Sequence, residues 1–151
     1  MKKLVLYIFL GLICFKTSYA SDSLKGLQTF VLGIEKIDNT ICRISTKDIE
    51  REVKFVLSST PIKLTKETGA EIIYIAPTII NTSAGCSGFI LFEVWKAAHL
   101  KNSVGNKYIG REILYDKGRL HVNVISKFSD AYLKEVSKIT KDFVIKWKEV
   151  N

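Results

Sequence analysis

The sequence predicts an α+β domain with a mostly antiparallel sheet of about four to five strands and two main helices. Two long β-branched and aromatic runs between Ala70 and Leu100 flank a small, polar break from Asn81 to Gly88, which is typical of two strands joined by a hairpin. One helical pattern precedes this hairpin, and a second ends the chain. Grouped strands between two helices favour a sheet with helices packed on it.

The chain before the hairpin contains a strand pattern and a helix pattern. Leu27 to Ile37 alternates apolar and other residues, and this predicts a strand. Ser45 is a suitable helix cap, and Asp48 three residues later completes a weak capping box. Apolar residues then recur at helical spacing as far as Leu57, and Pro61 disfavours a helix beyond that point.

Two further strand predictions concern the hairpin and the segment before it. Ile62 to Leu64 predicts a short strand. Phe89 to Leu100, the second strand of the hairpin, has apolar residues on both faces in its first half. A strand that is apolar on both faces is typical of a central strand covered on both sides.

The segment after the hairpin predicts two more strands, Tyr108 to Tyr115 and Arg119 to Ile125, joined by a turn at residues 116–118. In the second of these strands one face is apolar and the other polar, namely Leu120, Val122 and Val124 against His121 and Asn123. We expect the polar face, and with it His121, to be exposed.

The last helix begins at Ser129 and Asp130, because serine is a good N-cap residue. Its apolar residues recur every three or four positions, at Tyr132, Val136, Ile139, Phe143 and Trp147. This stripe is the most regular amphipathic pattern in the chain, and it predicts a helix with one face in the core.

The N-terminus has the pattern of a secretory signal peptide over residues 1–20. Lys2 and Lys3 precede an apolar run from Leu4 to Phe15, and Ser18 and Ala20 are the small residues of a cleavage site. A membrane anchor is the alternative, but the run is shorter than the roughly 20 residues that span a bilayer. Residues 21–151 are then a single domain with no transmembrane segment, and we expect it to be periplasmic or secreted.

The mature chain is moderately basic. Removal of three lysines with the signal peptide lowers the formal net charge from +8 to +5. Scattered basic residues are typical of a solvated surface, while attraction to anionic surfaces such as lipid headgroups or cell-wall polymers is the alternative.

Cys42 and Cys86 are the two cysteines of the mature chain. An even number of cysteines in an oxidising compartment favours one disulfide, and one or two buried thiols are the alternative. The bridge would close a loop of about 44 residues and stabilise the fold by roughly 3–4 kcal/mol in the chain-entropy model.

The sequence predicts no catalytic, cofactor-binding or metal-binding residues. Cys86 lies in a Gly-Cys-Ser-Gly segment, but a catalytic cysteine needs a basic partner, and a half-cystine is the better interpretation. His99 and His121 suit the acid and base of a ribonuclease, yet each has neighbours typical of an ordinary strand. No ligand cluster surrounds the cysteines, and we therefore expect no metal. We also expect no nucleic-acid partner.

Several segments carry a resemblance to known proteins: the Ser45–Leu57 helix leading to Pro61, the Tyr74 strand, the Cys86 strand running to Trp95, and the closing helix. In this order of elements the mature chain resembles small exported bacterial α/β domains, namely the N-terminal domain of TolB and the outer-membrane lipoprotein activators of penicillin-binding proteins. The resemblance implies a non-enzymatic envelope protein, and fold analogy does not fix its function.

The sequence therefore favours a non-enzymatic exported domain that binds an unknown protein or another envelope component. A small secreted hydrolase that uses His99 or His121 with nearby carboxylates is one alternative, and an inhibitor of a secreted enzyme is another. A lysozyme would be a poor target for such an inhibitor, because lysozymes are commonly basic and the mature chain is basic as well.

Overall fold

The computed structural model of the protein describes residues 23–151, and the predicted signal peptide lies outside this range. The described chain contains seven strands and two helices, which are β1 (Thr29–Ile34), β2 (Asp38–Asn39), β3 (Ile44–Ser45), α1 (Thr46–Leu57), β4 (Lys63–Thr65), β5 (Glu71–Thr82), β6 (Gly85–Lys101), β7 (Lys107–Asn123) and α2 (Ile125–Lys148).

Five strands form the main sheet in the order β4-β1-β5-β6-β7, and β2 pairs with β3 in a small separate ribbon. This confirms the α+β class. The sheet is mixed, however, because β1 runs parallel to both β4 and β5, while β5, β6 and β7 are antiparallel to their neighbours in turn. Helix α1 crosses over between β1 and β4 and returns the chain in the same direction, which produces a parallel pair.

The central hairpin is confirmed, and its polar break is shorter than predicted. β5 continues to Thr82 and β6 starts at Gly85, so that only two residues lie between the strands. Gly85 has a φ of +151°, and a Cβ there would lie 2.4 Å from the backbone oxygen of Asn123. Glycine is therefore required at this position, both by the backbone conformation and by the close approach of β7.

The two strands predicted after the hairpin are a single strand, β7, and the predicted turn at residues 116–118 is wrong. Gly118 lies opposite Leu91 within the ladder. A Cβ at Gly118 would lie 2.7 Å from Cζ of the Phe89 ring. This glycine therefore makes room for an aromatic ring from the neighbouring strand, and its turn-like neighbours Asp116 and Lys117 continue the ladder.

Helix α1 begins where the sequence predicts. The Ser45 hydroxyl accepts a hydrogen bond from the backbone N–H of Asp48, and the Asp48 carboxylate accepts one from the backbone N–H of Ser45. Hydrogen bonds from Ser45, first among them that of its side chain, hold the pKa of Asp48 below its usual value. The capping box is thus confirmed.

Helix α2 begins at Ile125, four residues before the predicted start at Ser129. Its N-cap is Val124, which has extended backbone angles and no side chain that accepts a hydrogen bond. The chain therefore passes from β7 into α2 without the usual polar cap. The start predicted from Ser129 as a capping residue is wrong.

Both helices pack on one side of the main sheet, which we call the covered face. The predicted apolar stripe of α2 is confirmed, because all five of its residues are buried. Phe143 of α2 contacts Phe30 of β1 edge-on, with ring centroids 5.9 Å apart, and contacts Phe92 of β6 at 5.4 Å. Helix α1 packs against α2 and buries its own apolar residues in the same core.

Candidate interaction surfaces

The two predicted half-cystines are joined in the structure. The sulfur atoms of Cys42 and Cys86 are 2.03 Å apart, and their Cα atoms are 6.1 Å apart. Both residues are buried, and the bridge ties the loop between β2 and β3 to the start of β6. Asn39 supports this loop through its side-chain oxygen, which accepts a hydrogen bond from the backbone N–H of Cys42. A sulfur atom held in a disulfide is not available as a thiolate nucleophile.

The two histidines are not brought together. His121 pairs with Gly88 in the ladder and His99 lies eleven residues further along β6, a distance of about 37 Å at the usual rise per residue of a strand. His99 is exposed. His121 is half-buried against the ring of Phe128, with centroids 5.8 Å apart, so the expectation that it is exposed is wrong. A pair of histidines acting as acid and base is therefore absent.

Neither a metal cluster nor a membrane-spanning helix is found between residues 23 and 151. No group of three or more histidine, cysteine, aspartate or glutamate side chains is placed to hold an ion there. No helix in that part of the chain is long and apolar enough to cross a bilayer.

The polar face of β7 packs against α2, opposite to what its composition suggests. Arg119 donates hydrogen bonds to Asp142 at 2.6 Å and to Glu135 at 3.2 Å, and Lys117 donates to Asp142 at 2.7 Å. Burial raises the pKa of Asp142, but the hydrogen bonds and charges of Lys117 and Arg119 outweigh it and hold that pKa below its usual value. These ion pairs allow charged side chains to lie at the margin of the helix–sheet interface.

The other side of the main sheet is apolar and faces outward. Phe89 lies opposite Leu120 in the ladder, and Ser87 lies opposite both Ile80 and Val122. Leu120 is 69% exposed, Val122 66% and Phe89 41%. We call the contiguous apolar residues of this side the open face, which consists of Ile80, Phe89, Leu91, Leu120 and Val122. The prediction that β6 is covered on both sides is wrong, because neither helix packs here.

One charged pair lies next to the open face, on the same side of the sheet. Glu93 is buried, and its carboxylate accepts a hydrogen bond from Arg111 at 3.0 Å. The five residues of the open face carry no charge themselves, and the exposed carboxylate of Asp116, which lies opposite Glu93 in the ladder, borders them. A surface patch that is depleted of charge and rich in large apolar residues is typical of the centre of a protein–protein interface.

The far ends of β6 and β7 form a second distinct surface, which we call the arm. Trp95 is the last residue of β6 that pairs with β5, and it pairs there with Ile72. From Lys96 to Lys101, β6 pairs only with residues 107–112 of β7. The arm is therefore a two-stranded extension that projects about 17–20 Å beyond the main sheet, given the rise per residue of a strand.

No protein-family model and no curated protein matches the chain. Among solved structures the chain is similar to a minor lipoprotein from Acinetobacter baumannii, with 12% identity over 79% of this chain and 89% of that chain. At a TM-score of 0.34 this likeness carries neither fold nor function over to the protein. The resemblance to TolB and the lipoprotein activators stays a prediction.

Proposed function

We propose that the protein is a non-enzymatic exported domain of the bacterial envelope that binds a protein partner through its open face. The observation that carries this proposal is the open face itself. Its five apolar residues are contiguous across three strands, and its largest side chains are two-fifths to two-thirds exposed. The largest contiguous apolar patch on the surface of a soluble protein is often a functional site.

Export is supported by two independent features. The first 20 residues have the charge, apolar length and small residues of a signal peptide. The Cys42–Cys86 bridge is a feature of proteins that fold in an oxidising compartment.

A non-enzymatic role is supported by the positions of the residues on which the hydrolase alternative depends. His99 and His121 lie far apart on β6 and β7, and Cys86 is engaged in the bridge. The reactive groups that the sequence offers thus do not converge on one cleft.

The size of the open face favours a transient protein complex. The whole outward side of β5, β6 and β7, of which the open face is one part, covers about 500 Å², from the spacing of strands and the length of their shared ladder. Two partners that each bury about that area form an interface below about 1,200 Å² in total, which is the range of weak and transient complexes. We therefore infer an envelope protein that associates reversibly.

Paired variants test this proposal. Leu120→Ser with Val122→Ser makes the open face polar, and Phe55→Ser with Ile145→Ser is the matched control, because both of these apolar residues are exposed on the helices. Each tagged protein, with its disulfide intact, is crosslinked in a native envelope fraction, and the captured proteins are quantified by mass spectrometry. We expect one partner to be captured by the wild type and the control and to fall at least tenfold with the open-face variant.

Equal capture by all three proteins would overturn the assignment of the open face. Sedimentation of the purified wild type tests whether a second copy of the chain occupies the open face instead of another protein. If the wild type is a dimer and only the open-face variant is a monomer, the open face is occupied by a second copy and the proposed partner is wrong.

A further inference from the structure

The tip of the arm holds two lysines in an unfavourable arrangement. Lys101 and Lys107 are direct partners at the last pair of the β6–β7 ladder. Like charges directly opposite each other in an antiparallel pair destabilise it. Neither lysine forms an ion pair with any of residues 23–151. The repulsion is thus left uncompensated within the described chain.

The other basic residues of the arm are arranged differently. Lys96 pairs with Glu112 at 3.4 Å, and Arg111 pairs with Glu93 at 3.0 Å. Both of these pairs lie at the base of the arm, next to the main sheet. Within the arm, the basic residues without an ion pair to residues 23–151 are therefore the two lysines at the tip.

Apolar side chains project beside this charge. Val104, in the loop between the two lysines, is 83% exposed, and Ile109 and Tyr108 on the returning strand are also exposed. The loop has its own framework, because the Asn102 side chain accepts hydrogen bonds from the backbone N–H groups of Val104 and Asn106. These hydrogen bonds hold the loop in a conformation in which the side chain of Val104 is exposed.

We propose that the tip of the arm binds the surface of a bilayer rich in anionic phospholipids. Lys101 and Lys107 contact the phosphate groups, and Val104 enters the boundary between headgroups and acyl chains. Anionic headgroups relieve the repulsion between the two lysines, and apolar insertion accounts for the exposed valine. This inference is independent of the open face, which lies on the main sheet, and the two surfaces together would hold a protein partner at a membrane.

The test measures binding to vesicles. The exported protein is sedimented with vesicles of phosphatidylcholine alone or of phosphatidylcholine and phosphatidylglycerol in equal parts, at about 0.1 M salt. We expect binding only to the vesicles that contain phosphatidylglycerol. Lys101→Gln with Lys107→Gln should weaken this binding about 30-fold, since each basic residue near an anionic surface contributes about fivefold.

Lys134→Gln with Lys138→Gln is the matched control, because it removes the same charge from exposed positions of α2. We expect it to weaken binding less than threefold. Val104→Asp adds a second variant that leaves both lysines in place, and we expect it to weaken binding at least tenfold. The thermal stability of the arm-lysine variant should be equal to or above that of the wild type, because the substitution removes a repulsion.

Three results would overturn the proposal. The first is equal binding to the two kinds of vesicle. The second is an equal loss in the α2 control, which would assign the binding to overall charge. The third is binding of a single-stranded oligonucleotide that is lost in the arm-lysine variant, without binding to vesicles, which would assign the arm to nucleic acid.

Discussion

The two sides of β7 are arranged opposite to the rule that the apolar side of a strand is buried and its polar side exposed. The covered face carries Lys117, Arg119 and His121 on β7, while the open face carries Leu120 and Val122 on the same strand. Lys117 and Arg119 form ion pairs with Glu135 and Asp142 of α2, whereas Leu120 and Val122 are mostly exposed.

This comparison shows that alternation along a strand does not by itself identify the buried side. In β6, glycine at position 88 allows two aromatic rings of α2 to approach the strand. Ile90 and Phe92 lie on the same side as Gly88 and are buried, Phe143 of α2 contacts Phe92, and the neighbouring side of β7 faces the same helix. The packing of α2, which is distant in sequence, thus decides which face of β7 is covered.

Aromatic residues on the two faces should differ most in their effect on stability. Phe143→Ala removes a ring that contacts Phe30 and Phe92 in the core, and we expect a loss of about 3–5 kcal/mol. Phe89→Ala on the open face should cost less than about 1 kcal/mol, because its ring is already partly in water. Chemical denaturation measures both, and equal losses would show that the open face is part of a core.

The disulfide belongs to the covered side and should have the next largest effect. Cys42→Ser with Cys86→Ser should lower the free energy of unfolding by about 3–4 kcal/mol, since the bridge closes a long loop. A reducing agent should destabilise the wild type by a similar amount and leave the variant unchanged. Non-reduced peptide mapping by mass spectrometry should show the linked Cys42–Cys86 peptide, and two free thiols would contradict the account.

The two ladder glycines form a matched pair for the third prediction. A Cβ at Gly88 would lie 2.5 Å from Tyr132 and 2.8 Å from Phe128, both buried between helix and sheet. Gly88→Ala should therefore cost about 1–3 kcal/mol through overpacking. Gly118→Ala meets only the ring of Phe89, which can rotate into water, and thermal unfolding should show little change. The reverse order would mean that the open face is the more tightly packed one.

The ion pairs on the covered side should have the smallest effect, and it should depend on pH. Asp142→Asn breaks the hydrogen-bonded pairs to Lys117 and Arg119 and should cost about 1–2 kcal/mol at neutral pH. The pKa of Asp142 is lowered in the folded protein, so its contribution is present above the ordinary value of 3.8 and is lost as the pH falls through the folded value.

The difference in stability between the wild type and the Asp142→Asn variant should therefore begin to shrink as the pH falls below about 4. Asp130→Asn is the control, because Asp130 is exposed on the same helix and forms no ion pair with residues 23–151. A constant difference between wild type and variant from pH 7 to pH 3 would contradict the role of this carboxylate.

Local signals in the sequence predict most of the elements. The capping box at Ser45 gives the start of α1, and the apolar stripe from Tyr132 to Trp147 gives the buried side of α2. Both depend only on residues three or four positions apart, and local spacing determines such contacts.

The errors concern residues whose role depends on distant partners. Gly118 resembles a turn residue until Phe89 is placed beside it on the neighbouring strand. The N-cap of α2 is Val124, whose side chain is not polar. The end of β7 therefore sets the start of α2, and no local capping signal marks it. The open face was missed as well, although the apolar alternation at Leu120 and Val122 was visible, because the assignment of sides required the position of α2.

Site-specific photocrosslinking in intact cells would show whether the open face is a binding surface. A photoreactive phenylalanine analogue replaces Leu120 on the open face or Phe55 on α1, two apolar residues with similar exposure of 69% and 72%. We expect one discrete adduct of constant mass from position 120 and none from position 55. No adduct from position 120, or the same adduct from both positions, would contradict the binding role of the open face.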